Sequence, residues 1–213
     1  MRTTRPLSAS ALLLTLALLA GGGSLIGCTD SSSPAASAAP SATPTPGFDP
    51  DATLWTLAST GEELSLEDED VQALQEVVAL HSGASDNRSP ATIVDSVDAE
   101  ESFFTPLFVE KLGTDSYRDA LVAMYVDNDL TIEQTGVAWT PSTIDAGRTK
   151  ATVGFESLFR IISASEGYLH ELGVDAGAEF AQPREYTLTK IDGEWLIDNI
   201  AKGPLRATSQ PTP

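Results

Sequence analysis

Apolar positions along this chain fall into three patterns. The first is one compact block, Ala11–Ala20 (ALLLTLALLA), which follows Arg2 and Arg5 and leads into the small residues Gly21–Ser24. The second pattern is helical: Val71, Leu74, Val77, Val78 and His81 recur along one face. Ser65-Leu-Glu-Asp68 ahead of them reads as a capping box, a hydroxyl followed three residues later by an acid. Glu67–Asp70 then fall in the first turn, where the macrodipole favours negative charge, and Gly83 can end the helix. Ser89-Pro90 and Thr105-Pro106 are further helix starts with proline at the first helical position. The second predicts a helix Pro106–Leu112 stopping at Gly113, after which Ser116 caps one carrying Tyr117, Leu121, Met124 and Tyr125.

The third pattern has a period of two. Leu130–Glu133 alternates, and Val137–Trp139 resumes after Gly136, a plausible bulge. Residues 149–164 form a long β-rich run broken at Gly154, where a strand can bend. Tyr186–Ile191, Asp192-Gly193 and Glu194–Ile200 predict a hairpin, since a two-residue turn of this kind needs positive φ at both positions. Residues 165–183, with three glycines and Pro183, read as a loop or short helix leading into it, and Gly203-Pro204 ends the order. Helices first and an antiparallel sheet second make the fold class α+β.

The amino-terminal block has the basic, apolar and small-residue order of an export signal. Its apolar run of about ten residues is half what a membrane-spanning helix takes. It closes on Cys28, the one cysteine in the chain. Leu25-Ile26-Gly27-Cys28 resembles the lipobox of bacterial lipoproteins. That resemblance implies lipid transfer to the Cys28 sulfur, cleavage before Cys28 and anchoring on the extracytoplasmic face of the cell membrane. A lone cysteine in an exported chain calls for such an explanation. From Thr29 to Pro46 every residue but Asp30 is Ser, Thr, Ala or Pro, a composition that cannot bury enough apolar surface to fold. The expected organisation is a signal at 1–27, a disordered anchored linker at 28–47, one domain at 48–206 and a fraying tail at 207–213.

The chain of 213 residues has a formal charge of −19. Removing residues 1–27 takes Arg2 and Arg5 from its 12 basic residues and none of its 31 acidic ones, so the mature side chains sum to −21. That argues against nucleic acid, whose binding depends on Lys and Arg at phosphates. It also argues against a domain lying flat on an anionic bilayer.

The closing hairpin YTLTKIDGEWLIDNI, residues 186–200, resembles that of bacterial members of the nuclear-transport-factor-two-like (SnoaL-like) fold. The resemblance implies helices packed on a curved, cone-like sheet. Some members use a pocket in the cone for proton transfer, with a carboxylate base and a tyrosine or histidine donor. His81, His170, Tyr125, Asp127 and Asp129 are the residue types such chemistry would need, but no catalytic motif maps onto them and no catalytic residue is carried over. Trp139, Phe155, Tyr168 and Trp195 are aromatics that can line a pocket or interface, core packing being the other reading of each.

No metal and no cofactor is expected. Asp127-Asn-Asp129-Leu-Thr131 has the spaced oxygens of a calcium loop, yet Ile132 stands where glycine belongs. The expected role is a non-enzymatic module, held to the membrane through Cys28, that binds an envelope protein or a small apolar ligand. The alternative is an isomerase-like enzyme acting on a small apolar substrate.

Overall fold

The computed structural model describes residues 53–208. The export signal, the lipobox residues Leu25, Ile26, Gly27 and Cys28, and the linker at 28–47 lie outside the described residues. The elements run in chain order: β1 (Trp55–Leu57), α1 (Glu69–Ser85), α2 (Ile93–Glu100), a 3₁₀ turn (Glu101–Phe103), α3 (Pro106–Thr114), α4 (Tyr117–Asp127), β2 (Thr131–Ile144), β3 (Lys150–Ser163), α5 (Glu166–Leu172), β4 (Glu179–Ile191), β5 (Glu194–Lys202) and β6 (Arg206–Ala207). The architecture is α+β. The strand order is β1-β2-β3-β4-β5, with β6 also on β4. Among these six strands only β1, on β2, pairs in parallel. Among the described residues no helix is long and apolar enough to cross a membrane.

Several starts and turns follow from local chemistry. Thr105 Oγ1 accepts from the Phe108 amide at 3.2 Å, with Pro106 opening α3 as its sequence predicts. Asp192 and Gly193 have φ of 53° and 92°, the positive pair expected of the hairpin turn. The register of β2 on β3 shifts between Gln134 and Gly136, the expected bulge.

Other expectations need correction. Asp68, not Ser65, caps α1, accepting from the amides of Asp70 and Val71. Ser65 Oγ takes the Glu67 amide instead, a local turn. Helix α1 runs through Gly83 to Ser85, where bonds span the glycine: Ser82 Oγ donates to Asp86 and Ser85 Oγ donates to the Ser82 carbonyl. Ser89 forms a turn with Thr92, and α2 begins only at Ile93. Ser116 stands at the N-cap of α4 with φ of 55° and no side-chain cap bond. Strand β4 starts at Glu179 and runs through Pro183, within the expected loop. The proline is tolerated because it lies between the stretches of β4 that pair with β5 and with β6. Ala207, expected to fray, pairs with Phe180.

Gly154 marks a close approach more than a bend in its own strand. The irregularity is on β2, between Thr140 and Thr143, and the Gly154 amide donates to Ser142 Oγ at 3.1 Å. A Cβ at Gly154 would sit 2.8 Å from the Pro141 carbonyl oxygen and against Thr140 Oγ1. Gly154→Ala is therefore expected to cost about 1–3 kcal/mol, the usual range for overpacking. Urea unfolding checks this, and an unchanged midpoint would show that β2 yields without cost.

The apolar interior forms two clusters. In one, Val71, Leu74 and Val78 of α1 meet Val153, Phe155, Tyr186, Leu188, Trp195 and Ile197 of the sheet. In the other, Ile93, Val97, Leu121 and Tyr125 of α2 and α4 meet Ile161 and Phe180.

Candidate functional site

Helix α1 is tied to β4 by charge at both ends. Near its start Asp70 accepts from Lys190 Nζ at 2.6 Å, Trp195 Nε1 at 3.1 Å and Arg148 at 2.8 Å. Arg148 also grips Asp68 through two bonds of 2.9 Å. These partners outweigh burial and hold the Asp70 carboxyl below its usual range. At the other end Asp86 accepts from Arg184 at 2.7 Å, Ser157 at 2.6 Å and Ser82 at 3.1 Å. From Asp70 to Asp86 a helix rises about 24 Å, and from Lys190 back to Arg184 a strand covers about 20 Å. The two ties match those spans, with the helix antiparallel to the strand.

A second polar set adjoins the Asp86 end. Glu100, at the end of α2, receives Arg88, Tyr117 Oη at 3.0 Å and His81 Nε2 at 3.4 Å. Tyr186 Oη lies 3.3 Å from His81 Nδ1. Burial pushes Glu100 up, but the His81 bond and the Arg88 charge prevail and bring it from 4.5 to about 2. Glu100 is then an acceptor only. These partners assign the proton of neutral His81 to Nε2, which donates to Glu100, while Nδ1 accepts from Tyr186. Burial lowers the His81 pKa and keeps the ring neutral. Its faces are covered by Phe103, Phe104 and Tyr186. Burial also raises the Tyr186 phenol to about 12.

A groove of about 330 Å³ opens beside the first half of α1. Ala73 and Val77 of α1, Phe103 of the 3₁₀ turn and Trp195 of β5 line it. Glu76 and Glu194 stand exposed on its rim. Leu80, one turn beyond Val77, is 55% exposed and extends the apolar stripe.

Three of the four aromatics named from the sequence share the α1 cluster, and of these Trp195 lines the groove. Trp139 packs edge-on to Phe155 with centroids 5.1 Å apart, and both belong to the α1 cluster. Tyr168, on α5, joins the other cluster. Of the proton-transfer candidates, His81 and Tyr125 are buried, whereas His170, Asp127 and Asp129 are exposed. Among the described residues no group of three or more His, Cys, Asp or Glu is placed to hold a metal ion. The roles of Asp70, Asp86, Arg88, Glu100 and Arg184 were not foreseen from the sequence. One signal was present: Arg184 is in phase with Tyr186 and Leu188, so strand alternation turns it to the same buried face.

No family model and no curated protein matches this chain. Among solved structures it is similar to the periplasmic domain of DotI, with 16% identity and a TM-score of 0.40 over 62% of this chain and 94% of that one. It is also similar to an IcmL-like type IV secretion system protein from Legionella pneumophila, with 10% identity and a TM-score of 0.40 over 68% and 97% of the two chains. At those scores neither likeness bears on what this chain binds.

Proposed function

We propose that this chain is a lipid-anchored module on the extracytoplasmic face of a membrane, and that it binds an envelope protein through the groove beside Trp195. The domain is read as helices laid on a curved, cone-like sheet whose inner face is filled by its own side chains, with a linker giving it reach from Cys28. The groove carries the proposal: it is an apolar recess reached from solvent, in a domain whose buried carboxylates are already engaged. The rim carboxylates Glu76 and Glu194, in a chain of charge −19, suit a partner segment that offers an apolar side chain flanked by Lys or Arg. An isomerase-like role would need an ionisable group directed into an enclosed space. The groove offers only its two exposed rim carboxylates, which favours binding.

Two measurements test the halves separately. Cys28→Ser is expected to leave an unprocessed precursor or release the protein from membranes, read by fractionation and intact mass; normal processing with full membrane retention overturns the anchor. A photo-crosslinking residue at Ala73, a half-buried position lining the groove, is expected to give a discrete adduct in intact cells. The charge reversal Glu76→Lys with Glu194→Lys should reduce that adduct at least tenfold while leaving the fold intact, both residues being exposed. An adduct equally strong in the reversed variant, or from a crosslinker at exposed Leu107, overturns the groove.

A further inference from the structure

Around the end of α1 three cations and two anions act on one another: buried Arg88 and Arg184 and half-buried Lys202 against buried Asp86 and Glu100. Both carboxylates are fully engaged. Asp86 Oδ1 takes Arg184 and Oδ2 takes Ser82 and Ser157. Glu100 Oε1 takes His81 and Tyr117, and Oε2 takes Arg88. Each arginine therefore has its counter-ion, and Lys202 has none: among the described residues its ammonium makes no hydrogen bond and no ion pair. Lys202 lies directly opposite Arg184 in the β4–β5 ladder, so the two side chains leave the same face of the sheet. The Arg184 Nε–H is buried without an acceptor.

Lys202 is half-buried, next to half-buried Gly203 and Pro183, so the position is reached from solvent. Burial, then the Arg184 charge, brings its ammonium from 10.5 down to about 8. The result is one positive charge without a protein counter-ion, on a half-buried ammonium, opposite a guanidinium with one buried N–H unfilled, in a chain whose net charge is −19. The buried Arg184 N–H costs free energy until an acceptor meets it.

We propose that the Lys202–Arg184 end of the sheet is a binding site for a small carboxylate, with the Lys202 ammonium as its main donor and Arg184 supplying field and a second N–H. A carboxylate fits for two reasons. The excess is a single charge, which a monoanion cancels and a dianionic phosphate overshoots. Two acceptor oxygens in one plane can also serve donors on two adjacent strands. The same group is offered by a free organic acid and by the terminal carboxylate of a partner chain.

The test is thermal unfolding of the full chain near neutral pH at fixed ionic strength, with chloride, acetate or phosphate as the anion. Acetate is expected to raise the midpoint saturably and above chloride and phosphate; Lys202→Met should abolish that rise and Lys202→Arg keep it. The Lys202 Cε resonance in the unaltered protein should move to a higher apparent pKa with acetate, a readout that does not depend on the variants folding. A resonance blind to acetate overturns the proposal. So does an equal response to acetate and chloride, a larger one to phosphate, or an undiminished response in Lys202→Met. A short peptide acid binding more tightly than acetate, with its amide silent, assigns the carboxylate to a chain terminus; equal binding assigns it to a free acid.

Discussion

Replacing Arg184 by methionine is expected to destabilise the domain by about 3–5 kcal/mol, the range for removing one partner of a buried ion pair. The side chains of Arg184 and Asp86 are only 3% and 4% exposed. Without the guanidinium, Asp86 keeps only hydroxyl donors, Ser82 and Ser157, and its charge stays in a medium that hydrates it poorly. The variant also unpins the end of α1 from β4, so the loss should appear at the helix C-terminus as faster amide exchange over residues 80–86. A second substitution separates the net worth of the pair from the penalty of an orphaned charge. Asp86→Leu in the Arg184→Met background should recover much of the lost stability, because an apolar pair of similar volume is often neutral against a buried salt bridge. Urea unfolding of the two single variants and the double variant closes the cycle. A cost under about 1 kcal/mol for Arg184→Met would mean that water already satisfies Asp86 and that the tie is incidental.

The elements legible in the sequence were those whose signal is local. Thr105-Pro106 needs only its own helix, and Asp192-Gly193 needs only a backbone with positive φ, so both stand as read. Misreadings arose where a distant group chose between two local solutions. Ser65 and Asp68 were both eligible caps for α1; Asp68 is also where Arg148, 80 residues away, makes its paired bonds. Pro183 lowered the claim of residues 179–183 to be strand, yet the gap between β5 and β6 removes the objection, and no local pattern reveals that gap. The buried charges were the least legible. Asp86 and Arg184 lie 98 residues apart, and a sequence-first reading assigns most acids of so acidic a chain to its surface. His81 was read correctly as a histidine on an apolar face; its partners, Glu100 and Tyr186, were not foreseeable from helical spacing.

Glu100→Gln is expected to cost about 3–5 kcal/mol at neutral pH and to change how the domain responds to acid. The substitution keeps the shape and removes the charge that Arg88, His81 and Tyr117 all address. Arg88 is buried with a side chain 3% exposed, so its charge would be left without a counter-ion. Proton linkage at Glu100 gives a similar magnitude. In the folded chain Glu100 titrates near 2, against an ordinary 4.5. As pH falls the unfolded chain therefore takes up this proton first. The contribution is fully present above the ordinary value and is lost as pH drops towards 2, amounting to about 3 kcal/mol. The stability gap between the unaltered protein and Glu100→Gln should therefore narrow over that window. His81 acts over a higher one. Its folded pKa lies below 6.5, so protonation of the unfolded chain destabilises the domain as pH falls through 6.5, in both proteins. Glu100 props the His81 pKa up against burial. Without that carboxylate the folded histidine resists protonation more strongly, and the loss below 6.5 should be steeper in the variant. Urea midpoints taken across the acid range resolve the two windows. A gap that stays constant throughout would mean that Glu100 titrates normally, and that Arg88, His81 and Tyr117 do not act on it as one network.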